Sequence, residues 1–171
     1  MRKLLAIFAF VPAVAFGQSE ASQSIGASAT VLQQISVSAV QDLEFDKVGQ
    51  GVNKVVAVDD ATSGRFSVKG QGAARYELTL TLPTHLAQAG EDAAELVIDT
   101  WTGSYSDESD MPEGTAFTPS NSPETRTLPG DVTDYSQEQF YRIGATVRPT
   151  ANQAPGDYTA EIQIAVEYLD I

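Results

Sequence analysis

Apolar residues that recur at every second position, turn residues between those runs, and the lack of a convincing amphipathic helix together predict an all-β fold. The expected architecture is an immunoglobulin-like antiparallel β-sandwich of about seven or eight strands. The chain has 171 residues, 42% hydrophobic and 19% charged, which is material for one core of ordinary size and excludes global disorder.

The first segment reads as an address. Arg2 and Lys3 precede an apolar run over 4–16, and Ala15-Phe16-Gly17 supplies the small residues that a signal peptidase recognises. A membrane span needs roughly 20 apolar residues, and this run is shorter and contains Pro12. Residues 1–17 are therefore expected to be a signal peptide cut before Gln18, leaving no transmembrane segment in the mature chain. The destination is the periplasm, the cell surface or the medium. Residues 18–28 are small and polar and form a flexible lead-in to a single domain over 29–171.

Strand candidates follow in order. Over 29–40 the odd positions Ala29, Val31, Ile35, Val37 and Ala39 are apolar and most even ones polar, which gives a strand one dry face. Leu43 with Phe45, and 55–58, are shorter candidates, and Phe66 and Val68 face one way before Gly70-Gln71-Gly72 breaks the run. Tyr76, Leu78, Leu80 and Leu82 share a face until Pro83 ends the ladder. Residues 84–94 read as a loop or one helical turn, and 96–105 as a strand in which Val97, Trp101 and Tyr105 share parity. Tyr141, Ile143, Ala145 and Val147 alternate next. In the last segment Tyr158, Ala160, Ile162, Ile164, Val166 and Tyr168 occupy every second position, a strand of about 36 Å at ~3.3 Å per residue. Between 103 and 138 stand four of the eight prolines and eight acidic residues against the single base Arg126. That window is expected to be an elaborated loop with a small hairpin joining 116–118 to 125–128.

Composition narrows function. Without cysteine there is no disulfide framework, thiolate metal site or thiol chemistry, and His85 alone cannot build a polyhistidine centre. No Gly-x-Ser-x-Gly elbow accompanies His85, which reads as a rim histidine at a strand end. Ten basic against 23 acidic residues give a net charge of −13, and losing Arg2 and Lys3 leaves 8 against 23, or −15. Such a surface repels phosphate backbones, so nucleic acid is not an expected partner. Asp107, Glu108, Asp110 and Glu113 lack the glycine and spacing of a calcium loop and read as a solvated acidic turn. Trp101 and Tyr105 could stack on a sugar, although core burial explains them as well. No catalytic, cofactor-binding or metal-ligating set emerges, and a non-enzymatic protein without cofactors is expected.

The strings Ala27-Ser28-Ala29-Thr30-Val31-Leu32-Gln33-Gln34-Ile35, Leu43-Glu44-Phe45, Gly70-Gln71-Gly72-Ala73-Ala74-Arg75-Tyr76, Ile143-Gly144-Ala145-Thr146 and Pro155-Gly156-Asp157-Tyr158 resemble, in this order, the bacterial domain-of-unknown-function family 4402. That family has a pilin-like β-sandwich and no settled activity. More distantly, Gly156 followed by the alternation from Tyr158 to Tyr168 is similar to the closing strand of chaperone-usher pilins. The likeness implies a subunit that docks on a periplasmic chaperone and then on copies of itself by β-strand donation. The chain departs from the pilin pattern in three ways: three residues follow Tyr168, no cysteine pair is present, and 18–28 is a poor donor. Residues 29–40 would be the donor, and strand-exchange or chaperone contacts would fall on Val31, Ile35, Val37, Tyr158, Ile162, Ile164, Val166 and Tyr168. The expectation is a secreted structural, fimbria-like or cell-surface subunit. The alternative is a self-contained extracellular module binding carbohydrate, cation or protein through the acidic loop.

Overall fold

The computed structural model describes residues 23–90, 93–110 and 114–169. The expected signal peptide and its cleavage site, and Glu91, Asp92 and Glu113, lie outside the described residues. The chain divides into two units, Met1–Val31 and Leu32–Ile171. In the first, residues 23–31 form no strand and are exposed, Ile25 by 97% and Val31 by 86%.

The second unit holds ten strands, every pair antiparallel, and no helix among the described residues. They are β1 (Ser36–Gln41), β2 (Lys54–Val56), β3 (Gly64–Gly70), β4 (Arg75–Thr81), β5 (His85–Ala87), β6 (Glu95–Ser106), β7 (Thr115–Phe117), β8 (Glu124–Thr127), β9 (Gln137–Arg148) and β10 (Gln163–Tyr168). Seven make a large sheet in the order β1-β3-β9-β6-β5, with β2 also on β9 and β7 also on β6. The other three make a small sheet, β10-β4-β8. The all-β, two-sheet expectation holds, with ten strands in place of seven or eight.

Alternation explains the core. Along β9 the residues Gln139, Tyr141, Ile143, Ala145 and Val147 point inward, and Phe66 and Val68 do so on β3. Facing them, Ile164, Val166 and Tyr168 of β10 stand opposite Leu80, Leu78 and Tyr76 of β4, three apolar rungs in register. Phe66 stacks on Tyr141 with ring centroids 4.7 Å apart and planes 2° from parallel. With Leu82, Leu128 and Ile143 these residues form the main cluster between the sheets.

A second cluster, Phe45, Val56, Leu96, Ile98, Ala145 and Val147, occupies the other end of the large sheet. No residue of the small sheet belongs to it; Leu43, Val48, Leu86, Trp101 and Tyr158 close over it instead. Trp101 packs against both clusters.

Several elements differ from the sequence reading, each for a local reason. Of the expected 29–40 strand only the part from Ser36 onward pairs, as β1 with β3. Leu43 and Phe45 form no strand, yet Phe45 is buried. Residues 85–87, expected as a loop or helical turn, make a short edge strand. The expected hairpin between 116–118 and 125–128 does not form, because β7 pairs with β6 and β8 with β4, in different sheets. Of 158–168 only β10 pairs as a strand; before it a single bridge joins Thr159 to Ala87. In β6 a bulge between Asp99 and Thr102, with Thr100 at φ 51°, reverses the parity. Leu96 and Ile98 face inward before it and Trp101 and Tyr105 after it, while Val97 is turned to solvent.

The main cluster encloses one polar network. The Tyr76 and Tyr141 hydroxyls touch each other and donate to Gln139 Oε1 at 2.8 and 2.7 Å. Gln139 Nε2 donates to Asp107 Oδ1 at 3.1 Å. Burial disfavours the charged phenolates, pushing Tyr76 up to about 12 and raising Tyr141 as well.

Two outcomes follow from this core. The unfolded chain gives up its tyrosine protons near pH 10 and the native one later, so stability is expected to be intact below about pH 10 and to fall towards pH 12. Urea midpoints across that range check it, and Tyr76→Phe should make the decline shallower. Leu78→Ala, at a position 1% exposed, is expected to cost about 2–5 kcal/mol in the same unfolding assay.

Candidate functional site

Because the small sheet stops short, the large sheet is left partly roofed by loops, and a groove of about 950 Å³ opens there. Its floor is apolar: Phe66 and Ile143 of the main cluster, Leu96 and Ile98 of the second, and Trp101 between them. One wall runs from Ala39 at the end of β1 through Leu43, Phe45 and Val48; the other is the segment 153–162 continuing into Ile164. Asp42, Glu44, Asp46, Asp157 and Glu161 lie along the walls, so the opening is acidic.

The walls matter because of their main chains. Among the described residues β1 is hydrogen-bonded only to β3 and β10 only to β4, so each is the outer strand of its sheet, and the two lie side by side. Residues 160–162 alternate like a strand but make no backbone hydrogen bond among the described residues. Unpaired peptide groups beside an apolar floor can accept an extended polypeptide, its main chain joining the sheet edge and alternate side chains filling the floor.

The residues singled out from sequence are mostly gathered on this side of the molecule. Ile35, Val37, Ile162, Ile164, Val166 and Tyr168 are half-buried against the main cluster, and Tyr158 against the second. Val31 lies in the first unit and is exposed. Tyr168 is a tie as well as a packing group: its hydroxyl accepts from Gln71 N–H and donates to the Gln33 carbonyl, each at 2.7 Å. A Cβ on Gly70 would collide with that hydroxyl, which explains the glycine there. Tyr158 is held by Gln153 Nε2 at 2.8 Å and donates to the Ala154 carbonyl at 2.6 Å, bracing the second wall.

Other candidates go elsewhere. His85 is exposed on the edge strand β5, 3.0 Å from the Thr84 hydroxyl through Nδ1. Tyr105 packs in the main cluster beside Tyr141, with the Arg126 guanidinium 4.5 Å over its ring and 4.9 Å from Phe117. Arg126 also pairs with Glu124. In the acidic loop Asp107 is taken by Gln139, and no group of three acidic or histidine side chains among the described residues is placed to hold a metal ion. At the surface Arg148 clamps Asp99 at 2.7 and 2.9 Å, lowering the carboxyl's pKa through that hydrogen bond.

Sequence reasoning found one wall of the groove through the alternation of 158–168. It missed the floor, since Phe66 and Ile143 read as ordinary core and Ile98 fell on the face opposite Trp101, and it missed the opposite wall.

The fold is thus that of an all-β protein of two antiparallel sheets with an open apolar groove. The chain belongs to the family described as Domain of unknown function (DUF4402), whose profile matches residues 13–168. None of the curated proteins compared with it matches.

Tyr168→Phe is expected to cost about 1–2 kcal/mol in urea unfolding, because it strands the buried Gln71 N–H, and to accelerate hydrogen exchange at that amide.

Proposed function

We propose that this protein is an exported, non-enzymatic structural subunit, fimbria-like or displayed at the cell surface, whose copies assemble through β-strand pairing. The observation that carries the reading is the groove, an apolar floor between two strand edges that lack partners. A candidate donor stands in the same sequence. Over 23–35 no residue is charged, and Ile25, Ala27, Ala29 and Val31 continue the odd parity of Ile35 and Val37. Such a segment meets the acidic walls without like-charge repulsion, unlike most of a chain carrying −13. Seven residues in extended form reach about 23 Å, enough for four alternate side chains to enter one groove. Residues 1–17 support export, and the uncovered floor gives a periplasmic chaperone a reason to bind before assembly.

Purified mature protein is expected to form heat-resistant ladders on denaturing gels. Removing 18–31 should leave monomers that bind a synthetic 23–35 peptide, and Ile162→Lys in the groove wall should abolish that binding. Mixing the truncated form with a full-length Ile162→Lys variant should yield two-copy complexes only, measured by light scattering. A strictly monomeric full-length protein, or ladders unchanged by the truncation, would refute strand exchange.

A further inference from the structure

The outer face of the large sheet carries a pair of arginines, of which only Arg65 also borders the groove. Both apolar clusters lie on the inner face, and on the outer face Ser67, Ser104 and Thr146 are buried among longer polar side chains, while Arg65, Arg142 and Phe140 are half-buried. Cross-strand register places Gln41, Arg65, Arg142 and Ser104 in a single row across these four strands. Arg65 and Arg142 are directly opposed, and like charges in that relation destabilise a sheet.

In a protein with 23 acidic residues a neutralising carboxylate would be easy to supply, yet the described residues give the pair none. Among the described residues no acidic side chain comes within 4.0 Å of either guanidinium. Arg65 makes no hydrogen bond there, and Arg142 gives one, to the neutral Asp110 carbonyl at 2.7 Å. The Nε–H of each is covered without an acceptor. Of the other cations of this face, Arg148 is paired with Asp99, and Lys69 stands opposite Glu138 in the register. The next row on the same face sets Ser67, Phe140 and Ser106 side by side, a half-buried aromatic ring between two hydroxyls.

We propose that this patch binds an anionic saccharide, one whose sugar ring bears a carboxylate. Paired guanidinium forks suit a carboxylate, with parallel N–H donors onto both oxygens. The flat Phe140 ring offers an apolar surface to the C–H face of a pyranose, and the half-buried Ser106 beside it offers a hydroxyl to the sugar. Charge complementarity argues for the anion: on an acidic molecule this is the one place in the described large sheet where two cations adjoin without a counter-charge. The inference is independent of whether copies of the chain assemble.

The test is calorimetric titration of the full chain with tetragalacturonate at low ionic strength, with maltotetraose and tetraglutamate as comparisons. Tetragalacturonate should bind saturably and weaken as salt rises. Arg65→Gln and Arg142→Gln should each weaken it at least tenfold, and Phe140→Leu about threefold. Maltotetraose should bind at least tenfold more weakly, which would show that the carboxylate is needed, and tetraglutamate likewise, which would show that the ring is. Arg65→Gln is expected to keep or raise the urea midpoint, since it relieves the opposed charges; if it misfolds, Arg65→Lys retains the charge without the fork and should still weaken binding severalfold. Absence of tetragalacturonate binding, unchanged binding in folded arginine variants, or equal affinity for either comparison compound would overturn the proposal.

Discussion

Everything else in this molecule depends on a mismatch of areas: a three-stranded sheet cannot cover a seven-stranded one. Strands are spaced about 4.8 Å apart, so the five-position path of the large sheet is nearly twice as wide as the small one. Where the two overlap, the rungs from Tyr76 to Leu80 and Ile164 to Tyr168 close a dry interior against Phe66, Val68 and Tyr141. Beyond them the second cluster is sealed only by Leu43, Val48, Leu86 and Tyr158, and the groove is what that partial seal leaves. Apolar burial has to carry the fold unassisted, because the chain has no cysteine.

β9 is the element that makes one domain of the two clusters. Its twelve residues pair with β3 along the first half and β2 along the second, with β6 on the opposite side from Phe140 to Arg148. Tyr141 and Ile143 serve the main cluster, Ala145 and Val147 the other. β6 runs the same length, and its bulge at Thr100 lets Ile98 and Trp101 both face inward where the roof changes from strand to loop. A regular strand would have turned one of them to solvent. Where Trp101 touches both clusters, backbone strain at Thr100 and continuity of the core are two sides of one arrangement.

Charge is distributed with the same economy. Acidic residues line the groove walls, where open sheet edges would otherwise invite indiscriminate pairing, and an uncharged segment is the one that enters them most cheaply. The opposed Arg65 and Arg142 on the outer face run against the charge of the whole molecule and against sheet stability. A costly pairing with no counter-charge among the described residues is where a ligand is most reasonably sought.

From sequence alone came the all-β class, the faces that β4, β9 and β10 would bury and the family, because period-two alternation over Tyr76 to Leu82, Tyr141 to Val147 and Ile164 to Tyr168 is a local property that survives folding. Tertiary structure alone decided which strands are neighbours. Nothing in 115–117 or 124–127 announces that they join different sheets, since short polar strands take their partners from the edges available. Parity failed at Thr100 because one extra residue in the ladder inverts every side chain after it. The groove was illegible for the same reason: its floor residues look like any core residue, and only the shortfall of the small sheet leaves them open.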